Sequence, residues 1–334
     1  IWTRVIGNPY SYEQSTLNCG QDSTFADQIT AGGNSDANGI GDFKYAPPSG
    51  FLALCSANLA NPGIDPAKDE KPADYFNTVL YTGNSGTQNV TGVGFQPDWV
   101  WIKPRNTAVN HVVHTSTFDN PYNYLIVNRG DIGENTNANF DWFKSFDSDG
   151  FTVAYASSDG TNSNNWNGPY NYASWNWLAG GSASSNSNGS ITSNVSANTE
   201  AGFSIVTYTG TGSNATVGHG LNSTPEFLII KGRDTSYNWV VWVDGFSTTQ
   251  RLLLDTTGTT STGNWNTLPT SSVFGLGTHL NINNSGSEFV AYCFHSVDGY
   301  SKIGSYTGNG STDGTFVYTG FRPAWVLVKV TSVT

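Results

Sequence analysis

Histidines and carboxylates are the side chains here most able to do chemistry, and their spacing brings few of them together. His111 and His114 lie three apart in Asn110-His111-Val112-Val113-His114. A zinc site needs imidazoles converging on one point. On a strand an odd offset sends the two rings to opposite faces, so the pair reads as polar residues of an edge strand. His219, His279 and His295 are isolated. Asp147-Ser148-Asp149-Gly150 has the oxygen ligands and glycine turn of a calcium loop. No late Glu follows, so a plain turn is expected there, as it is at Asp255 and at Asp298-Gly299.

No HExxH, P-loop or GxSxG pattern occurs. Paired carboxylates for glycoside hydrolysis need only meet in space. Beyond residue 76, however, acidic residues are sparse and mostly flank Gly or Asn. The chain is therefore read as non-enzymatic, with no catalytic residue, no metal site and no cofactor expected.

Aromatic rings are the other candidates. Trp99 and Trp101 share one strand face, as do Trp175 and Trp177, while Trp142, Trp166, Trp239, Trp242 and Trp265 are scattered. Indole faces beside Asn and Asp make sugar platforms, but Trp on a strand is usually core. Trp166 lies in the polar run Ser163-Asn164-Asn165-Trp166-Asn167-Gly168 and is the one candidate for glycan or receptor contact. The Asn-x-Ser/Thr triplets, Asn188-Gly189-Ser190 among them, carry no weight in a chain this rich in Asn, Ser and Thr.

The elements that would position these groups follow from composition. Of 334 residues, 13% are aromatic, 12% are charged and 38 are Gly. Charge is about half the usual globular share. Gly and Asn serve turns, and Thr and aromatics suit strands. The expectation is an all-β fold of many short strands, with no convincing amphipathic helix. A net charge of -11 disfavours nucleic acid as a partner. No apolar run reaches 18 residues, so no membrane insertion is expected. The first 20 residues show no signal-peptide pattern, and a chain without Met that starts at Ile1 is read as cut at both ends. Cys19, Cys55 and Cys293 form no CxxC pair. A Cys19–Cys55 bridge would need adjacent strands, and buried free thiols are the favoured alternative.

Residues 1–56 read as strands and turns, with an irregular Pro47-Pro48 turn and a buried strand from Phe51 to Cys55. Pro62, Pro66 and Pro72 with a local concentration of charge mark 57–75 as an extended linker. Beyond residue 76 one pattern recurs three times. It joins Tyr81-Thr82-Gly83 to Pro97…Lys103, Tyr208-Thr209-Gly210 to Pro225…Lys231, and Tyr306-Thr307-Gly308 to Pro323…Lys329. The Tyr-to-Lys spacings are 22, 23 and 23, and Pro-to-Lys is always six. Each unit predicts a strand ending in Tyr-Thr-Gly, a polar loop, then a strand opened by Pro, apolar on both faces and capped at the solvent edge by Lys. Tyr172-Ala173-Ser174-Trp175-Asn176-Trp177 parallels Phe289-Val290-Ala291-Tyr292-Cys293-Phe294, and Leu125-Ile126-Val127-Asn128 parallels Leu252-Leu253-Leu254-Asp255. Periods of 127 and 98 residues are too long for a solenoid. The expected architecture is tandem antiparallel β-sandwich lobes of concanavalin or jelly-roll type. Residues 76–200 form the first repeat, and 201–334 form the second with the start of a third.

Two stretches are similar to known families. Leu17-Asn18-Cys19-Gly20-Gln21-Asp22-Ser23-Thr24-Phe25, the Pro47-Pro48-Ser49-Gly50-Phe51 turn and Leu54-Cys55-Ser56-Ala57-Asn58-Leu59 resemble the end of a SPRY-like, concanavalin-type sandwich. Gly94-Phe95-Gln96-Pro97-Asp98-Trp99-Val100-Trp101-Ile102-Lys103 and Tyr292-Cys293-Phe294-His295-Ser296 resemble an uncharacterised repeat of marine bacteriophage tail fibres. The resemblance implies a non-enzymatic structural protein of the virion surface, a tail fibre or appendage that adheres to the host. It implies no active site. The partners it implies are further copies of the chain (a trimer, by analogy with fibres), other virion proteins and a host surface glycan. The alternatives are a capsid-surface decoration or a carbohydrate-binding module of a secreted bacterial protein.

Overall fold

The computed structural model describes residues 22–25, 27–58, 63–65, 68–137, 142–155, 167–257, 261–262 and 265–332. The chain divides into two units, 1–61 and 62–334. Cys19 lies outside the described residues.

The first unit is organised by a carboxylate. Asp36 Oδ1 accepts from the N–H groups of Asn38 and Ile40, both at 2.9 Å, and Oδ2 accepts from Ala53 N at 2.8 Å and Asn58 Nδ2 at 2.7 Å. Burial alone would raise its pKa, but these four donors together hold the carboxyl below its ordinary value. Phe51–Cys55, expected as a buried strand, forms none, and Phe51, Leu52 and Leu54 are exposed. Its central N–H, on Ala53, is bound by Asp36 instead of a sheet neighbour.

The second unit is all β apart from short turns. Its first eight strands are β1 (Phe76–Thr82), β2 (Thr87–Thr91), β3 (Trp99–Pro104), β4 (Val112–Thr115), β5 (Leu125–Ile126), β6 (Phe143–Asp147), β7 (Gly150–Ala154) and β8 (Asn171–Trp177). There follow β9 (Ser184–Asn186), β10 (Ser193–Asn198), β11 (Phe203–Thr209), β12 (Ala215–Gly218), β13 (Phe227–Gly232), β14 (Val240–Val243), β15 (Gln250–Leu253), β16 (Ser261–Thr262), β17 (Val273–Leu276), one helical turn α1 (Leu280–Asn283) and β18 (Glu288–Phe294).

The repeated motifs fold into repeated topology. The first large sheet runs β1-β8-β3-β4-β5. The second contains the same series as β11-β18-β13-β14-β15, extended by β16 at one edge and by β10 and β9 at the other. A small sheet, β2-β7-β6, covers the first, and β12-β17 covers the second. Register matches as well as order. Tyr81 faces Tyr172 across β1 and β8, and Tyr208 faces Phe289 across β11 and β18. Both pairs stack, with ring centroids 4.8 and 5.3 Å apart. Phe76 and Trp99 flank Trp177, just as Phe203 and Phe227 flank Phe294. The Tyr of Tyr-Thr-Gly is thus one half of an aromatic pair that fixes strand register.

Strands apolar on both faces are explained by the layering. On β3, Val100 and Ile102 enter the core under the small sheet, whereas Trp99 and Trp101 enter a core shared with the second copy. On β18, Phe289, Ala291 and Cys293 face the second copy's own core, and Val290 and Tyr292 the shared one. The two large sheets therefore supply one common hydrophobic layer, each with a small sheet behind it. The Cys293 thiol is free, and burial pushes its pKa up to about 12.

Three expectations are corrected. Lys231, expected at the solvent edge, is fully buried and donates to the Tyr237 and Gly130 carbonyls. Part of the stretch expected as an extended linker is packed, with Ile64 and Tyr75 in a small cluster with Ala201 and Val297. The third copy of the motif forms no strand over 302–332. In the first two copies the Pro-initiated strand is hydrogen-bonded on both sides, β3 by β4 and β8, and β13 by β14 and β18. Among the described residues the third copy has no such neighbours, and Phe316 and Tyr318 are largely exposed.

Trp325 is its main anchor, lying 5.4 Å from the ring of Trp177 and 6.3 Å from that of Trp101. Cleavage within 302–332 should therefore depend largely on these two aromatic contacts, beside the Lys329 hydrogen bond to the Thr256 carbonyl. Trp325→Ala is expected to speed limited chymotryptic cleavage there by about tenfold, since cleavage follows the population of the opened segment. An unchanged rate would show that Trp325 does not hold the segment.

Candidate functional site

The groups with chemical potential are positioned mainly to satisfy backbone. The residue after the motif's proline is acidic in both folded copies. Asp98 Oδ2 accepts from Ala179 N at 2.8 Å and Gly181 N at 3.2 Å, and Oδ1 from Ser116 Oγ at 2.6 Å. Glu226 Oε2 accepts from Ser296 N at 3.0 Å and from Ser296 Oγ. Each carboxylate thus ties down the chain where it leaves the central strand, β8 or β18. The spacing of these acids from their motifs was visible in the sequence, as Pro97-Asp98 and Pro225-Glu226, yet their role needs the sheet order. Asp98 is buried, so Asp98→Ala strands two backbone donors. The expected loss is about 3 kcal/mol, read from the urea midpoint; a midpoint equal to wild type would contradict the anchoring role.

His295, Ser296 and Glu226 include the residue types of a hydrolytic triad but lack its geometry. His295 Nδ1 lies 2.9 Å from the Ser296 carbonyl, while the Ser296 hydroxyl is bound to Glu226 and accepts from Ile303 N at 3.0 Å. Among the described residues no imidazole addresses the hydroxyl, whose hydrogen-bond acceptor is the Glu226 carboxylate. His295 and Ser296 border a cleft of about 350 Å³ with Glu200 and Asp298 on its wall, and Glu200 accepts from Tyr75 OH at 2.9 Å.

The other histidines are packed. Trp101 Nε1 donates to His111 Nδ1 at 3.1 Å. His114 stacks on Phe143 at 4.1 Å, and its Nδ1 lies 3.1 Å from both the Pro121 and Asn123 carbonyls, which makes it the protonated nitrogen. Burial lowers the His111 pKa to about 4, with Lys103 adding to the effect, and that of His114 to about 3. His111 and His114 are not brought together, and no cluster of metal-ligating groups occurs among the described residues.

Asp147 and Asp149 close the β6–β7 turn. Asp147 accepts from Ser145 Oγ and Thr152 Oγ1, each at 2.6 Å. Asp149 accepts from Gly92 N at 3.1 Å and Gly94 N at 2.6 Å. Gly150 adopts φ +143°, and a Cβ there would lie 2.0 Å from the Val90 carbonyl oxygen. The fragment is a hairpin turn packed against β2, with its carboxylates occupied.

Among the tryptophans, Trp99, Trp101, Trp142, Trp177, Trp239, Trp242 and Trp265 are buried. Trp239 Nε1 donates to the Ile126 carbonyl at 2.9 Å, across the shared core. Trp166 lies outside the described residues. A second cleft, of about 370 Å³, opens beside Trp242 between the β14–β15 turn and residues 268–269. Nothing in the sequence marked it, because Trp242 reads there as one more scattered indole.

Fold and side-chain geometry together define a duplicated all-β protein whose buried polar groups mostly serve its own backbone. Residues 71–334 match the family described as Domain of unknown function (DUF7483), and the chain belongs to that family. No curated protein is significantly similar to it, and neither is any solved structure.

Proposed function

We propose that this chain is a non-enzymatic structural protein of a phage virion, a tail-fibre or appendage module that adheres to the host surface. The observation that carries the reading is the shared core: two copies of one repeat stack sheet on sheet around four buried tryptophans, Trp99, Trp101, Trp177 and Trp239. That construction suits a rigid, protease-resistant display element. The occupied carboxylates at Asp98, Asp147, Asp149 and Glu226 support a role without turnover. The likeness of the Gly94–Lys103 motif to tail-fibre repeats supports the location at the virion surface. On this reading the chain self-associates and meets other virion proteins on one side and a host glycan on the other.

The test is cosedimentation of the purified chain with marine bacterial cells, together with reducing-end release from their isolated surface polysaccharides. Binding to cells of at least one strain without release of reducing ends is expected. Reducing-end release would overturn the non-enzymatic reading, and failure to sediment with any strain would overturn adhesion.

A further inference from the structure

The two copies of the repeat differ at one point where a ligand fits. His114 on β4 and Trp242 on β14 occupy the same register, facing Val100 and Leu228 respectively. His114 presents a ring N–H toward the turn that follows its strand, and Trp242 lines a cleft at the corresponding turn. In the first copy that donor is satisfied, since His114 Nδ1 reaches the carbonyl of Asn123, two residues before β5. The corresponding carbonyl in the second copy, Gln250, is taken at 2.9 Å by the Trp265 indole. Trp242 Nε1 is left buried with no acceptor among the described residues. The Trp99 indole nitrogen is likewise buried without an acceptor among the described residues, so the contrast between the copies lies in what surrounds the rings.

The surroundings of the two rings also differ. Phe118 and Phe246 each donate their backbone N–H to the last residue of the preceding strand, Thr115 and Val243. The Phe118 ring is covered by the Arg233 guanidinium, 4.5 Å from its centroid. Phe246 carries no such cover and lines the cleft of about 370 Å³ with Trp242, Leu268 and Pro269. The polar part of the wall includes Asp244 and Gln250. Ser247 N and Oγ hold the Gln250 side-chain oxygen at 3.0 and 3.1 Å, which leaves its NH2 to donate.

We propose that this cleft binds one neutral hexopyranose unit of a glycan. An apolar wall of Phe246, Leu268 and Pro269 suits the C–H face of a sugar ring. Asp244 accepts from ring hydroxyls, and the Gln250 amide donates to ring oxygens. Among the described residues no Lys or Arg lines the cleft, so a sialic acid or a phosphorylated sugar would meet a lone carboxylate and be repelled. The volume lies within the range of small-molecule sites. The proposal rests on the adhesive reading above and names the ligand class for it.

The experiment uses the full chain and three probes, the methyl glycosides of glucose, galactose and mannose. The Trp242 indole N–H resonance is assigned by its loss in Trp242→Phe and followed during titration. At least one glycoside should move it, and Asp244→Asn and Phe246→Ala should each weaken that binding at least tenfold. Asp244 is exposed, so its variant tests the cleft without disturbing the core. If none of the three glycosides moves the resonance, or if one binds equally well to both variants, the cleft is not the site. Either result leaves adhesion standing wherever cells still bind the chain; loss of cell binding is a separate failure, of the function itself.

Discussion

Trp99→Ala is expected to cost about 4 kcal/mol in unfolding free energy, more than any other single truncation in the shared core. Trp99 is 1% exposed. Its ring lies 4.4 Å from Tyr292, 4.5 Å from Trp177 and 5.8 Å from Phe203, so it touches strands of both copies. Truncation opens a large cavity between two sheets whose backbones are locked by their ladders and collapse little. Trp99→Phe should cost roughly half as much, because the second copy folds with Phe227 at the same register. Urea unfolding followed by tryptophan fluorescence measures both. A loss below ~1 kcal/mol for the alanine variant would mean that the interface between the sheets is loose.

The second large effect is acid destabilisation. Burial lowers the pKa of His111, His114, His219 and His279, with Lys103 reinforcing the effect on His111, His295 on His219 and Arg251 on His279. For His114 the folded value is about 3 against an ordinary 6.5. Between those values the unfolded chain binds a proton that the folded one refuses, so stability is complete above pH 6.5 and falls as pH drops. At pH 4.5 the His114 contribution alone is a loss of about 3 kcal/mol. Comparing urea midpoints at pH 7 and pH 4.5 for wild type and His114→Phe isolates it. The variant loses two hydrogen bonds at both pH values, yet its pH dependence should be flatter by about that amount. An equal slope in both proteins would show that His114 is charged in the fold.

Much of this architecture was legible in the sequence because one aromatic register is written twice. Tyr-Thr-Gly and the Tyr172–Trp177 and Phe289–Phe294 runs pair with each other across strands, so motif spacing and sheet register carry the same information. Both-sided apolarity of Val100–Ile102 and Leu228–Ile230 signalled burial on two faces. It did not say what covers the second face, since periodicity reports that a face is buried but not by which element. Lys231 illustrates the limit: at the end of an apolar strand a lysine looks like a solvent cap, yet the carbonyls of Tyr237 and, from the other copy, Gly130 accept from it in the interior. The cleft beside Trp242 was hidden for a similar reason. Its contrast with His114 appears only when the two copies are compared register by register. The third copy shows the converse: its motif from Tyr306 to Lys329 forms no strand, and among the described residues no strand pairs with it. Local pattern therefore encodes readiness to pair, and pairing itself depends on distant strands.

The claim on which the rest depends is that the two copies share one core and open as one body. Hydrogen exchange of wild type and Trp99→Ala, resolved by peptide, tests it directly. On this account β3 and β18 are among the slowest segments of the wild type, and Trp99→Ala accelerates both to a similar degree although it lies only on β3. Acceleration confined to β1, β3, β4 and β8, with β11, β13 and β18 protected as before, would contradict the shared core and make the copies two independent sandwiches.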